Sequence, residues 1–413
     1  MTSLISNAIC CAGNCLCHAV SNICSDSMKI NPKFFSKIGF ILLNILALAF
    51  SLIILFYGQG FMKHFNDYIK CPASDNSDCL GISSIYRMSL ALVIMHGVVI
   101  LFSLFGKKVG DVINRHCWTF KLILVFGIYL GFLFVDNSFF TIYAGVSKYV
   151  SLLFIIFQVL VIISFAHVIN IKLVEGLDEE NKACKYQFWL LFLSLFFTGV
   201  SLYWIVISFM KFSYSFWNVL IVCVTILLGG GFTYISISEL VNRKRLLTSI
   251  YMFSFITYLC WSGLNSQPNE KKEDIDVNFS VADIFVGLFY LVSALSYVGF
   301  YVKDTHKPKN SDEREALNKN PIVEEAKEVV DDDENDLTSS HYYFHLFMMV
   351  LSAYYCMLLT NWSVIDSSQT DPKILAPSWS SFWIKISAVL VSSLLYVWIL
   401  IAPKLFPDRE FHF

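Results

Sequence analysis

The sequence predicts an all-α membrane protein with about ten transmembrane helices. Three observations carry this reading. About ten apolar runs, each roughly 17–25 residues long, are separated by short polar loops, and a helix of that length spans the ~30 Å hydrocarbon core of a bilayer. Of the 413 residues 56% are hydrophobic and only 15% charged, against about 25% charged in a soluble domain, and the mean hydropathy is +0.61. Lys and Arg gather on alternate loops. The net charge of −2 points to no nucleic-acid partner.

Taken in order, the expected spans are 37–57, 85–105, 118–135, 147–171, 188–210, 216–237, 248–264, 281–301, 343–361 and 380–402. Only helices suit these lengths, because lipid cannot satisfy an exposed irregular backbone. Residues 1–36 form a Cys-rich N-terminal segment without the basic and apolar regions of a cleavable signal, so the first run is expected to be a retained span. The fourth run is the longest and is expected to tilt, and the seventh is the shortest. Residues 37–301 hold spans one to eight, 302–342 is an acidic loop expected to be disordered, and 343–413 holds spans nine and ten with a short tail.

Twenty Lys and Arg lie on the N-terminal side of the membrane and 6 on the other, which places both termini in the cytosol of a multi-pass protein of the secretory pathway or plasma membrane. Two exofacial features agree. Asn278 opens a glycosylation sequon with Phe279 and Ser280, and Cys71 and Cys79 flank a polar stretch where a disulfide is favoured over two free thiols. For Cys10, Cys11, Cys15 and Cys17 palmitoylation is the best-fitting chemistry; zinc ligation fits the spacing less well, and an apolar segment with inert thiols stays open. The acidic 302–342 loop reads as a solvated tether or as a docking segment for cytosolic trafficking proteins.

Ionisable side chains at bilayer depth are costly and face partners or water. Lys121, His167 and Lys385 are the deep candidates, with Arg87 added at the start of span two. His96 is also deep, while Lys148, Asp283 and His345 lie close enough to span ends to snorkel or cap. His341 and His345 lack the intervening Glu of a zinc protease, and Gly229–Gly231 follows no strand and reads as close packing or a kink. No nucleophile, acid/base pair, metal set or cofactor motif is visible, so no enzyme and no cofactor are expected.

Near the C-terminus stand Tyr343-Phe344-His345-Leu346-Phe347, Leu359-Thr360-Asn361-Trp362, Phe382-Trp383-Ile384-Lys385 and Tyr396-Val397-Trp398, closing on Ala402-Pro403. Upstream, in the same order, come Tyr86-Arg87, Trp118-Thr119-Phe120-Lys121, Phe165-Ala166-His167 and Thr257-Tyr258-Leu259-Cys260-Trp261-Ser262. In wording and order these resemble the serine incorporator (Serinc) family over essentially the whole chain. The family's frequent acid before Phe-Ala-His is Ser164 here, and the loop before span eight lacks the cysteines of many members. The resemblance implies ten helices in two subdomains crossed by a long fourth helix. It also implies either ATP-independent scrambling of membrane phospholipids, with Arg87, Lys121, His167 and Lys385 as candidates for a lipid groove or a contact between subdomains, or delivery of serine to phosphatidylserine and sphingolipid synthesis. A scaffold without transport is the third reading.

Overall fold

The structure, a computed structural model, describes residues 32–71, 77–105, 113–114, 118–178, 183–238, 245–268, 277–301, 325–362 and 378–405. Among them every regular element is a helix: α1 (Pro32–Phe56), α2 (Gln59–Lys63), α3 (Asn66–Ile69), α4 (Ser77–Phe105), α5 (Trp118–Phe132), α6 (Asn137–Glu175), α7 (Ala183–Phe212), α8 (Phe216–Ile237), α9 (Leu246–Asn265), α10 (Val277–Tyr301), α11 (Glu325–Leu359) and α12 (Trp379–Leu405). Each of the ten expected spans falls on one of them. By length and composition 8 are long and apolar enough to cross a membrane, while the third and eighth runs hold shorter apolar stretches, Phe120–Phe132 and Asp283–Val298. Thirteen residues at 1.5 Å each rise only about 20 Å, short of the ~30 Å core.

Most helices outrun their expected bounds by a few residues, α6 and α11 by the most. α6 has 39 residues and begins at Asn137, ahead of the expected 147. Asp136 starts it, since its Oδ1 accepts the Ser138 backbone N–H at 2.8 Å. Buried Phe140, Ala144 and Ser147 then carry the packed face past Lys148, where charge alone suggested a boundary. α11 begins at Glu325, inside the segment read as an acidic loop, and residues 302–324 lie outside the described residues, as do Cys10, Cys11, Cys15 and Cys17 and the side chains of Asn278 and Pro403.

The chain divides into two compact units. The first comprises Met1–Ser151, Val298–Cys356 and Val364–Ile374, and the second the remainder. In the first unit α4 is central, packed by α1, α2 and α5. Its apolar stretch is 67% buried inside the protein, and it carries the buried polar residues Ser83, Ser84, Arg87, Ser89 and His96. In the second, α9 is central, packed by α7, α8 and α12, with 78% of its stretch buried and the lowest mean hydropathy of the eight, 1.3. By contrast α7 is only 17% buried along its stretch, and Phe188, Leu191, Phe192, Leu195 and Phe196 stand exposed, as lipid-facing residues do. Of the three consecutive glycines in α8 only Gly229 meets a neighbour: a Cβ there would overlap the Phe253 ring of α9, whereas Gly230 and Gly231 face open space.

Arg87 is the anchor of the first unit. It is fully buried, and its guanidinium lies 4.3 Å from the Phe140 ring. Nε donates to Phe132 O (2.9 Å), Nη2 to Val135 O (2.7 Å), and Nη1 to Ser83 O and Asn137 Oδ1 (both 3.0 Å). The carbonyls of Phe132 and Val135 lie at and just past the end of α5, where helix carbonyls lack partners and the dipole favours a cation. Beside this site Cys71 and Cys79 are joined as a disulfide, and Asn137 Nδ2 contacts both sulfurs at 3.8 and 3.9 Å. At the solvated edge Lys70 pairs with Asp136 at 2.7 Å. That hydrogen bond, with those from Ser138, holds the Asp136 carboxyl down to about 2, so the small contribution of this exposed pair is present above the ordinary carboxylate range and is lost as pH falls toward 2.

Replacing Arg87 removes a hydrogen-bond donor from three carbonyls and from Asn137 Oδ1. Arg87→Met is expected to lower stability by about 3 kcal/mol, read as a drop in the unfolding midpoint in detergent. Arg87→Lys should recover only part of the loss, because an ammonium cannot reproduce the planar fork. A wild-type midpoint in both variants would show that Arg87 does not hold the α5–α6 corner.

Candidate functional site

The second unit gathers its polar chemistry along α9. Thr248, Ser249, Ser254, Thr257, Ser262 and Ser266, all buried, run the length of this helix. Twenty residues at 1.5 Å each cover about 30 Å, so polar side chains recur through the thickness of a bilayer core. Most have a partner on a neighbouring helix or on the preceding turn. Ser249 Oγ and Tyr396 OH are 2.7 Å apart, and Ser254 Oγ and Tyr290 OH 2.8 Å.

At the Ser266 end lies a cation-centred cluster. Lys385 Nζ, on the first turns of α12, donates to Ser266 Oγ (2.9 Å), Asn361 Oδ1 (3.0 Å) and Asp283 Oδ2 (3.2 Å). Ser262 Oγ donates to Asp283 Oδ2 at 2.8 Å, and Tyr258 OH to Asp283 Oδ1 at 2.9 Å. Ser381 Oγ donates to Asn361 Oδ1 at 2.7 Å. The Lys385 and Asp283 side chains are 10% and 16% exposed, so the pair sits near the rim of a desolvated site and not at its floor. Asn361 and Trp362 follow the end of α11 with φ of 49° and 60°, and the Trp362 N–H returns to Met357 O at 2.9 Å. Two successive left-handed residues terminate the helix and aim the Asn361 amide at Lys385, a conformation Asn tolerates better than a branched residue. Trp261, fully buried, lies against Trp204 with ring centroids 4.3 Å apart.

At the Arg245 end α9 opens onto a cavity of about 100 Å³. Leu160, Ile163, Ser164 and His167 of α6, Arg245 and Thr248 of α9's first turn, and Tyr396 and Ile399 of α12 line it. The sequence candidates His167 and Lys385 thus stand near opposite ends of α9. Trp383 and Trp398 are exposed, 61% and 50%, as indoles in an interfacial or lipid-facing position are.

The other two cationic candidates belong to the first unit, each in a closed cage. Arg87 is held as above. Lys121 Nζ donates to Asn114 O at 2.9 Å and lies over the rings of Trp118 (3.9 Å) and Phe40 (4.4 Å), a cation–π enclosure. Nearby, two imidazoles form a hydrogen-bonded file. Asn44 Nδ2 meets His96 Nε2 at 2.9 Å, His96 Nδ1 meets His345 Nδ1 at 3.1 Å, and His345 Nε2 meets Asn114 Oδ1 at 2.6 Å. An amide nitrogen only donates and an amide oxygen only accepts, so the file closes with His96 protonated on Nδ1 and His345 on Nε2. Ser352 Oγ completes it at Asn44 Oδ1, 3.1 Å.

Sequence reasoning placed Asp283 as a capping or snorkelling residue. The structure gives it three side-chain donors, one of them the cation of the cluster. An acid three residues into an apolar run was the available signal. Asn114, Arg245 and Thr248 carried none, being ordinary polar residues at helix ends or turns, and Asn44 is a lone amide inside the first apolar run. Among the described residues no group of three or more His, Cys, Asp or Glu could hold a metal ion.

The helices, their lipid-facing exteriors and these buried polar clusters define an all-α, multi-pass membrane protein. The family model described as "Serine incorporator (Serinc)" matches residues 9–409. The chain belongs to the Serinc family. It is 26% identical over 468 aligned positions to "Serine incorporator 5" of Rattus norvegicus, covering 98% of this chain and 99% of the relative. It is 24% identical over 395 positions to "Serine incorporator 3" of Bos taurus, covering 79% and 80%. A "Probable serine incorporator" of Nematostella vectensis is 25% identical over 456 positions, with 97% of both chains covered.

Removing one partner of a buried pair leaves an uncompensated charge, whereas removing both leaves a cavity and two hydroxyls. Lys385→Met and Asp283→Leu are each expected to cost about 3–5 kcal/mol, and the two together less than the sum of the singles. Unfolding midpoints of the four proteins in one detergent close the cycle. Strict additivity would show that the two side chains do not act on each other.

Proposed function

We propose that this Serinc-family protein moves phospholipids between leaflets passively, without ATP and without covalent chemistry. The observation that carries the reading is the row of polar side chains along α9, which ends at Lys385 and Asp283 on one side and at Arg245 on the other. A headgroup crossing bare hydrocarbon loses its hydrogen bonds at a cost of several kcal/mol per group. Hydroxyls spaced along a membrane-length helix offer replacement partners, and the acyl tails stay in lipid beside the exposed apolar faces. Lys121 and Arg87, in closed cages, serve the standing structure in this scheme, while His167 and Lys385 flank the path.

A second reading draws on the Lys385 cluster. An ammonium, a carboxylate and an amide converge beside an interrupted helix end, the set of groups that would recognise an amino-acid zwitterion. Serine, the amino acid in the family's name, would place its carboxylate at Lys385 and its ammonium at Asp283.

Purified protein in vesicles bearing a fluorescent phospholipid, without ATP, is expected to speed loss of leaflet asymmetry over protein-free vesicles and over an unrelated multi-span protein. Thr257→Val with Ser254→Ala, which removes two hydroxyls midway along α9, should slow the exchange about tenfold, as a barrier raised by ~1.4 kcal/mol requires. Folded protein that leaves the exchange at the background rate would remove the scrambling reading. Saturable serine binding that disappears in Asp283→Asn would then favour the second.

A further inference from the structure

The disulfide of the first unit lies in surroundings that suit reaction. Cys71 follows α3 and is half-buried, while Cys79 is buried in the first turn of α4. The two positions are only 8 apart. A bond that closes so short a loop restrains the unfolded chain less than one that closes a long loop, so chain entropy is a modest part of its contribution. Structural cysteines lie inert in apolar surroundings, whereas reactive ones sit at helix starts and beside Arg or Lys. Here Asn137 Nδ2 points at both sulfurs, 3.8 Å from Cys71 Sγ and 3.9 Å from Cys79 Sγ. Oδ1 of the same amide accepts Arg87 Nη1 at 3.0 Å and the Ser83 hydroxyl at 3.1 Å. One side chain therefore stands between the sulfurs and a fully buried guanidinium. The partners of that guanidinium are carbonyls and this amide and, among the described residues, no carboxylate.

A disulfide is exchanged when a thiolate attacks one sulfur and the other departs as a thiolate, faster where the departing anion is better stabilised. The two sulfurs are not equivalent. Cys71 is the residue of the pair with solvent exposure, so attack falls there. Cys79 departs beside the N–H groups of the first turn of α4, which favour negative charge as the start of a helix does, and one amide away from Arg87. The Asn137 N–H, shared between two sulfurs in the oxidised protein, then serves the anion alone. Arg87 gains a counter-charge it otherwise lacks among its hydrogen-bond partners. Asp136, the acid of this corner, is already engaged by Lys70 at 2.7 Å.

We propose that Cys71–Cys79 is a thiol-exchangeable disulfide, attacked at Cys71 with Cys79 as the leaving thiolate, and that its redox state sets how firmly α3 is tied to the corner where α6 begins. The reductant is a dithiol. Its first thiolate bonds to Cys71 Sγ, and the electron pair of the S–S bond departs with Cys79 Sγ. Its second thiolate then attacks the mixed disulfide, closes the dithiol into its own internal disulfide and releases Cys71. Two electrons have passed to the protein, and the dithiol's protons to Cys71 and to solvent. The covalent tie from α3 to α4 is then gone. What still holds α3 to the corner is Lys70–Asp136 and the rings of Phe65 and Tyr68 against Phe134. None of this rests on the scrambling reading.

The test uses the full chain in detergent with its free thiols blocked by iodoacetamide. A brief exposure to glutathione, quenched with N-ethylmaleimide and mapped by mass spectrometry, traps the first step. Glutathione is expected on Cys71 and maleimide on Cys79, in excess of the converse pattern by about tenfold or more. An even split, or glutathione mainly on Cys79, overturns the assignment of the leaving sulfur. Dithiothreitol without denaturant should reduce the pair while the protein stays folded. Reduction that keeps pace with unfolding and never precedes it overturns the exchange and leaves a structural bridge. Hydrogen exchange then compares the oxidised and reduced proteins. Amides of α3 and of residues 134–138 should exchange several-fold faster after reduction, and those of α7 at the same rate. Cys71→Ser with Cys79→Ser, untreated, should reproduce the reduced pattern, which separates loss of the bond from any other action of the reductant. Exchange at residues 134–138 that is the same in all three proteins overturns the coupling to α6.

Discussion

Hydrocarbon offers no hydrogen bonds, and that single constraint organises this protein. Every polar group carried to bilayer depth must find its partner inside the chain. Both units answer in the same way, by placing at the centre a membrane-length helix that carries buried polar side chains and packing other helices around it. α4 and α9 are the two most buried of the long helices, 67% and 78% along their apolar stretches, and each carries a series of buried hydroxyls, joined in α4 by Arg87. Exposed α7, with its row of phenylalanines, is the counterpart that meets lipid. In a soluble protein the apolar helices would be central. Here the order is inverted because the solvent is apolar.

The cations show two ways of meeting the constraint. Arg87 takes no acid among its hydrogen-bond partners; its five donors in a rigid fork suit the scattered carbonyls at the end of α5 and the amide of Asn137. Lys385 has three donors that rotate freely and takes a carboxylate, an amide and a hydroxyl from three separate segments. Lys121 completes its shell with aromatic faces. The Arg87 and Lys121 cages leave no face open, whereas the Lys385 pair keeps some exposure at its rim, and this difference is why the second unit is the better place to look for a ligand.

Much of the architecture was legible in the sequence because periodicity and length act locally. Each expected span lies on a helix, and Cys71 and Cys79 are only 8 residues apart. Helix ends were less legible where packing overrides charge: Lys148 interrupts the apolar run but not α6, because the buried face continues through Ala144 and Ser147. The site was legible in its individual residues and not in their pairing. Lys385, Asn361, Ser262 and Tyr258 each stood out, yet nothing local joins Lys385 to Asp283, 102 positions earlier. Thr248 was invisible, since an unpartnered hydroxyl is a property of its surroundings and not of its sequence.

These long separations have a consequence for how the molecule is made. Asn44 is bonded by Ser352, synthesised 308 residues later, and His96 by His345, 249 residues later. Asp283 and Asn361 both wait for the last helix to bring Lys385. A chain emerging from the ribosome therefore carries its early polar groups into the membrane well before their partners exist. Until α11 and then α12 are delivered, the unfinished bundle must hold those groups against water, against lipid headgroups or against an attendant protein. Biogenesis is consequently a test applied at the C-terminus: a premature stop before Lys385 leaves at least Asp283 and Asn361 without their cation, a mark by which cellular surveillance can tell an unfinished copy from a finished one.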